Sequence, residues 1–188
     1  MRIGGLILAA GEGRRFGGTK QIAELRGRAL LSYAVDAMLS VPAIEPVVVV
    51  LGHDAAAIRE RVDFTAAETV VCDGWREGQA ASLRCGIAAL GDVTAAVVTL
   101  GDQPFITAQV ITGVLDFDSA RDDAVRATYG GQPGHPVLLT RRLLDRADEL
   151  HGDVGFRALL EGHRVRRFEA AHLCDPTDID TREELARR

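Results

Sequence analysis

Apolar positions in this chain come in two rhythms. Unbroken runs at Ile3 to Ala9, Val47 to Leu51 and Ala95 to Leu100 predict strands buried on both faces. Shorter runs at Glu68 to Cys72, Ala124 to Thr128 and Val165 to Phe168 read as further strands. Between them the apolar residues fall at helical intervals. Leu31, Val35, Met38 and Leu39 mark a helix over Leu30 to Leu39, and Leu83, Gly86, Ile87 and Leu90 mark another. Leu143, Leu144, Ala147 and Leu150 predict a third, over Thr140 to Leu150. Pro42 and Pro46 punctuate the turn into the second strand. Asp54, Thr107 and Asp153 are placed to cap helices reaching Val62, Leu115 and Leu160, and Thr181 with Glu184 forms a capping box. Strand alternating with helix predicts parallel βαβ units, with ligands at the carboxyl ends of the strands.

The loop after the first run carries glycines at 11, 13, 17 and 18 and basic residues at 14, 15 and 20. Glycines let backbone N–H groups approach a ligand closely, and such groups favour phosphate. Two familiar phosphate loops are excluded. The dinucleotide fingerprint needs G-x-G-x-x-G, and here the third glycine comes one residue late, at Gly17. The P-loop ends in Lys followed by Ser or Thr, whereas Thr19-Lys20 reverses the pair. Lys20 is the single lysine of the chain, against 21 arginines. A compact ammonium fits where a planar guanidinium does not.

Composition narrows the setting. At 188 residues and 47% hydrophobic content the chain is long enough for one domain, 1–188, with its own core. A net charge of −5 argues against nucleic acid as a partner. No apolar span suggests a membrane segment, and the start lacks a signal-peptide pattern. Cys72, Cys85 and Cys174 form no paired spacing, which fits a reduced, cytoplasmic compartment.

Ala9 to Lys20 matches A-A-G-x-G-x-R-x-G-x-x-K, and in this it resembles nucleotidyltransferases that bind a nucleoside triphosphate. The resemblance implies that Leu8, Ala9, Ala10, Gly11, Glu12, Gly13, Arg15 and Lys20 hold the nucleotide. Further motifs follow in order. Gly78 to Gly86 reads G-x-x-x-S-L-x-x-G, similar to the base-reading segment of cytidylyltransferases, and offers Gly78, Gln79 and Ser82. Ser82 reads equally well as a helix-start residue bonding backbone, and the Gln79 side chain as structural. Gly101 to Thr107, G-D-Q-P-F-I-T, resembles the metal-binding segment of the same group, with Asp102 as ligand. A carboxylate at a strand's carboxyl end also suits magnesium on chemical grounds.

Gly131 to Val137, G-x-P-G-H-P-V, resembles a hallmark of the MobA-like family, in particular its molybdenum cofactor cytidylyltransferase branch. There Gly134 and His135 border the acceptor, His135 donating to a phosphate or pinning the loop. Gly152 to Arg157 resembles the branch's G-D-x-G-x-R, with Phe156 at a position usually small. Asp178 to Thr181 resembles its D-I-D-T ending, with Arg182 where proline is common. Asp180 is the candidate second metal carboxylate and Asp178 the alternate.

The resemblance implies a single doubly wound, mostly parallel α/β sheet of the Rossmann-like nucleotidyltransferase type. It implies transfer of CMP from CTP to the phosphate of molybdopterin or its molybdenum form, with pyrophosphate leaving. Catalysis would rest on Lys20, Arg15 and Asp102, with Mg2+ on Asp102 and Asp180 and a molybdoenzyme as recipient of the product. Family members that use GTP read A-G-G where this chain has Ala9-Ala10-Gly11. Three alternatives stand beside this: guanylyl transfer or another small phosphorylated acceptor, a non-catalytic cofactor-binding accessory, and a dinucleotide-dependent oxidoreductase.

Overall fold

The computed structural model describes residues 1–152 and 155–188, with the backbone alone at 155–157. Strand β1 (Ile3–Ala9) leads through the glycine loop and a small hairpin, β2 (Glu24–Leu25) and β3 (Arg28–Ala29), into α1 (Leu30–Leu39). There follow β4 (Ile44–Leu51), α2 (Ala55–Arg61), β5 (Glu68–Val71), α3 (Gln79–Leu90), β6 (Ala95–Leu100) and α4 (Ala108–Gly113). The second half holds β7 (Ala124–Tyr129), β8 (Gln132–Thr140), α5 (Arg141–Leu144), α6 (Gly155–Leu160), β9 (Val165–Glu169) and α7 (Arg182–Ala186).

Seven strands form one sheet in the order β5-β4-β1-β6-β8-β7-β9, all parallel except β8. Alternate residues of β1 feed two cores. Ile7 and Ala9 pack with Leu31, Val35 and Met38 of α1 and with Val110 and Ile111 of α4. Leu6 and Leu8 pack on the opposite face with Leu83 and Leu90 of α3 and Leu143 and Leu144 of α5. Helices on both faces make the sheet doubly wound, as the alternation predicts. No described helix is long and apolar enough to cross a membrane.

Four local expectations are corrected. The G-x-P-G-H-P-V stretch, read as a loop as far as Val137, lies from Gln132 on in the antiparallel strand β8 (Gln132–Thr140), which a tight turn at Gly130-Gly131 folds back on β7; both glycines have positive φ. Prolines are rare inside sheets because they cannot donate to the ladder. Here Pro136 lies just past the last β6 pair, Val98 with Val137, and opposite an irregularity in β7. Pro46 likewise stands within β4, where the register with β1 shifts between Ile3 and Gly5. Thr140–Leu150 is not one helix. It breaks after Leu144 and resumes as a 3-10 turn at Ala147–Glu149, which buries Ala147 and delivers Leu150 to the core. Asp54 precedes α2 in the left-handed region and does not cap it through its side chain, which instead accepts from the Thr19 hydroxyl. Thr107 and the Thr181–Glu184 capping box behave as expected. The Asp153 cap lies outside the described residues.

Candidate active site

Strands β1 and β6 are parallel neighbours with Leu8 opposite Leu100, so the loops that leave them open at one edge of the sheet. Between those loops and the start of α3 lies a cavity of about 460 Å³, within the range of small-ligand sites. Its lining brings together Leu8, Ala9, Ala10, Gly11, Glu12, Gly13, Arg15 and Lys20 from the first loop, Gly78, Gln79 and Ser82 from the second, and Asp102 and Asp180.

The first loop turns its carbonyls inward. Gln21 Nε2 donates to Ala9 O and Gly11 O, both at 2.8 Å, and His53 N donates to Ala10 O at 3.1 Å. Among the described residues the N–H groups of Gly11, Glu12 and Gly13 have no acceptor, which leaves three adjacent donors for an anion. Gly13 must be glycine: its φ is +67°, and a Cβ there would meet Gly18 O at 2.5 Å.

Lys20 opens a 3-10 turn and reaches both carboxylates. Its Nζ lies 2.5 Å from Asp102 Oδ2 and 2.9 Å from Asp180 Oδ1, while Arg15 meets Asp180 Oδ2 at 2.7 Å. Burial works against the ammonium, but Asp102 and Asp180 outweigh it and hold the Lys20 pKa above its ordinary value. Burial also opposes the Asp180 charge, and Lys20 with Arg15 outweighs it, holding that carboxyl low. Asp178 is raised, by desolvation first and then by the Asp102 charge.

In the second loop a 3-10 turn, Asp73–Glu77, leads to Gly78 and α3. Ser82 is buried on the first turn of α3 and lines the cavity. Gly134 and His135 lie on β8 and are not among the residues lining the cavity. The His135 carbonyl accepts from Tyr129 Oη at 2.6 Å, and Gly134 O accepts from Arg126 Nε at 3.1 Å. Desolvation pushes the His135 imidazole pKa down to about 3, with the Arg126 charge adding to it, so the ring is neutral at ordinary pH.

The MobA-like NTP transferase domain matches residues 5–168. The chain belongs to the MobA-like NTP transferase family. One relative, nicotine blue oxidoreductase of Paenarthrobacter nicotinovorans, is 30% identical over 97% of this chain and 94% of its own length. A probable molybdenum cofactor guanylyltransferase of Thermococcus sibiricus is 27% identical over 60% of this chain and 54% of its own. Among solved structures, Rv0371c of Mycobacterium tuberculosis H37Rv superimposes with a TM-score of 0.89 at 29% identity, covering 100% of this chain and 96% of that one. The same protein in complex with manganese gives 0.84 at 28% identity, over 100% and 97% of the two chains. By family and fold this MobA-like protein is an enzyme of the nucleotidyltransferase class.

The donor set fits a divalent cation. Asp102 and Asp180 offer hard oxygen ligands, and the Lys20 ammonium between them shows that the position favours positive charge. Asp102 Oδ1 is buried with no hydrogen-bond partner, a lone pair the fold leaves unspent. No cluster of three or more His, Cys, Asp or Glu is placed to hold a metal among the described residues. Magnesium manages with one or two carboxylates plus substrate phosphate.

Four lining residues had no role in the sequence reading, Gln21, Trp75, Arg76 and Leu100, while Arg14 and Gly101 entered it only as a basic residue of the first loop and as part of the G-D-Q-P-F-I-T motif. Trp75 stands between His53, 5.5 Å away ring to ring, and the Arg76 guanidinium, 4.5 Å above its face. The sequence reading also missed the part played by Gln103, a buried amide that donates to Asp178 Oδ1 at 2.6 Å. A signal was present for the two glutamines. Each directly follows a charged site residue, Lys20 or Asp102, in a stretch that packs inward.

Proposed function

We propose that this protein transfers a nucleoside monophosphate from a triphosphate, CTP in preference to GTP, to the phosphate of a molybdopterin-type acceptor. Pyrophosphate leaves, and the whole chain acts as one transferase domain in the cytoplasm. The observation that carries this reading is Lys20 held between Asp102 and Asp180 beside the open N–H groups of Gly11, Glu12 and Gly13. A cation position and a phosphate loop share one cavity.

Magnesium bound to Asp102 and Asp180 would supply Lewis-acid neutralisation of the reacting phosphates. The N–H groups of the loop orient the triphosphate, and Arg15 and Lys20 offset charge building on the departing pyrophosphate. A phosphate nucleophile is already ionised, so the chain needs no general base. Support for the acceptor comes from the Thermococcus relative's name and from G-x-P-G-H-P-V at Gly131 to Val137. Support for CTP rests on Ala10, where GTP users read glycine. A molybdoenzyme is the expected recipient of the product.

Titration calorimetry with CTP and GTP, each with magnesium, tests the base. CTP is expected to bind more tightly, and equal or reversed affinities would remove the cytidylyl assignment. A second reading has one observation behind it, the name of the Paenarthrobacter relative. Reduction of nicotine blue at the expense of NAD(P)H would favour it. Pyrophosphate release without such oxidation favours transfer.

A further inference from the structure

Asp180 reaches the site on an arm, residues 170–181, that joins no strand. Three contacts hold the arm to the end of β6. Ile179 is fully buried with Phe16, Leu25 and Leu30, and its N–H donates to Asp102 O at 2.9 Å. The side-chain amide of Gln103, 5% exposed, donates to Asp178 Oδ1 at 2.6 Å and to Pro176 O at 3.1 Å. Beyond Asp180 the capping box closes, Glu184 accepting from the N–H groups of Asp180 and Thr181.

We propose that Gln103 is a positioning residue whose side-chain amide fixes the C-terminal arm on the β6 end and so sets where Asp180 stands relative to Asp102. Asp178 is the anchor of that arm and not a metal ligand. The inference rests on the two-carboxylate reading of the site.

Two features favour this role over simple packing. Gln103 Oε1 is buried without a partner, a cost that an apolar side chain of the same size would not carry. Its Nε2 spends both donors on the arm, one of them in a charge-assisted bond. The second feature concerns Lys20. In the ligand-free site the direct link between Asp102 and Asp180 is its ammonium. Once that charge serves a phosphate the link is gone, and Gln103 with the capping box still brackets Asp180.

The test uses the metal-free, full-length protein and Mn2+ as probe. In Gln103→Leu, hydrogen exchange at the Ile179 amide is expected to accelerate about tenfold or more, while α3 amides keep their protection. Mn2+ affinity, read from the free-ion paramagnetic resonance signal, is expected to fall about 10- to 100-fold, as for loss of a group that orients a metal ligand. Gln103→Glu should behave like Gln103→Leu, because two carboxylates then face each other. Adding Asp178→Asn reverses donor and acceptor, and the double variant should recover most of the Mn2+ affinity. Should Gln103→Leu not fold, the Glu and double variants carry the same test. Wild-type exchange and affinity in Gln103→Leu, or no recovery in the double variant, would overturn the proposal. Asp180→Asn separates the two claims. If it lowers Mn2+ affinity and Gln103→Leu does not, the tether alone falls; if Asp180→Asn itself binds Mn2+ as wild type does, the two-carboxylate site falls with it.

Discussion

Lys20 is the residue on which the site's charge turns. Its Nζ sits within 2.9 Å of two carboxylates in a space that suits a compact cation. A guanidinium is planar and broader, so charge conservation alone should not preserve function. Lys20→Arg is expected to lower kcat/KM for pyrophosphate release by roughly 10²–10³, the scale of losing one transition-state charge contact. Wild-type turnover in that variant would return Lys20 to the ordinary surface cations. Its solitary status and loop position made Lys20 legible in the sequence, as did the D-I-D-T ending for Asp180. For Gln21 and Gln103 only the charged neighbour, Lys20 or Asp102, was legible, because their part lies in which carbonyl or carboxylate the folded chain brings to a buried amide. The place of His135, on β8 and outside the cavity lining, is likewise set by the fold rather than by its motif.

At the scale of elements, α3 carries the second loop to the cavity by lying close on the sheet. Gly86 makes that approach tolerable: a Cβ there would stand 2.3 Å from Leu6 Cδ1 and 2.7 Å from Val50 Cγ2. Gly86→Ala should therefore cost about 1–3 kcal/mol by overpacking, seen as a lower urea midpoint at unchanged slope. No change in midpoint would mean that the helix shifts freely and does not fix the second loop. The strands with strong β-branched runs, and α1, stood at or near their sequence-derived bounds because local pattern and tertiary packing agree. The pattern failed at β8 and in the Thr140 to Leu150 stretch. In β8 the prolines speak against a strand, and only the irregular pairing with β7 accommodates them. In Thr140 to Leu150 the helical spacing is real, but burying Leu150 requires a tighter turn.

Across the whole molecule, the edge formed by β8, β7 and β9 is tied by acid-sensitive contacts. Glu169 accepts from Gly130 N at 2.8 Å, Thr128 Oγ1 at 2.8 Å and Gly131 N at 3.2 Å. These bonds, that from Gly130 first, hold its pKa at about 2, below the ordinary value of 4.5. A depressed carboxyl stabilises the fold above its unfolded pKa and loses that contribution as pH falls from about 4.5 towards 2. His135 acts earlier in the same direction. Its ring, held neutral down to about 3, resists a proton that the unfolded chain takes up below 6.5. Thermal midpoints should thus fall as pH drops from 6.5 and fall further below 4.5. Glu169→Gln should flatten the lower part of the curve and His135→Gln the upper part. Curves that superimpose on wild type would show that neither group is coupled to folding.

The fold's central consequence is that Asp102, at the end of β6, and Asp180, on an arm near the chain's last helix, meet at one ammonium. The most direct measurement is pyrophosphate release from CTP and GTP, with magnesium and a molybdopterin-type acceptor, by wild type and Asp102→Asn. The amide keeps the size of the carboxylate and removes its charge, so thermal stability should stay near wild type. Nucleotidyl transfer is predicted to be magnesium-dependent in the wild type and nearly abolished in Asp102→Asn. A folded Asp102→Asn protein with full activity would contradict the assignment of this site.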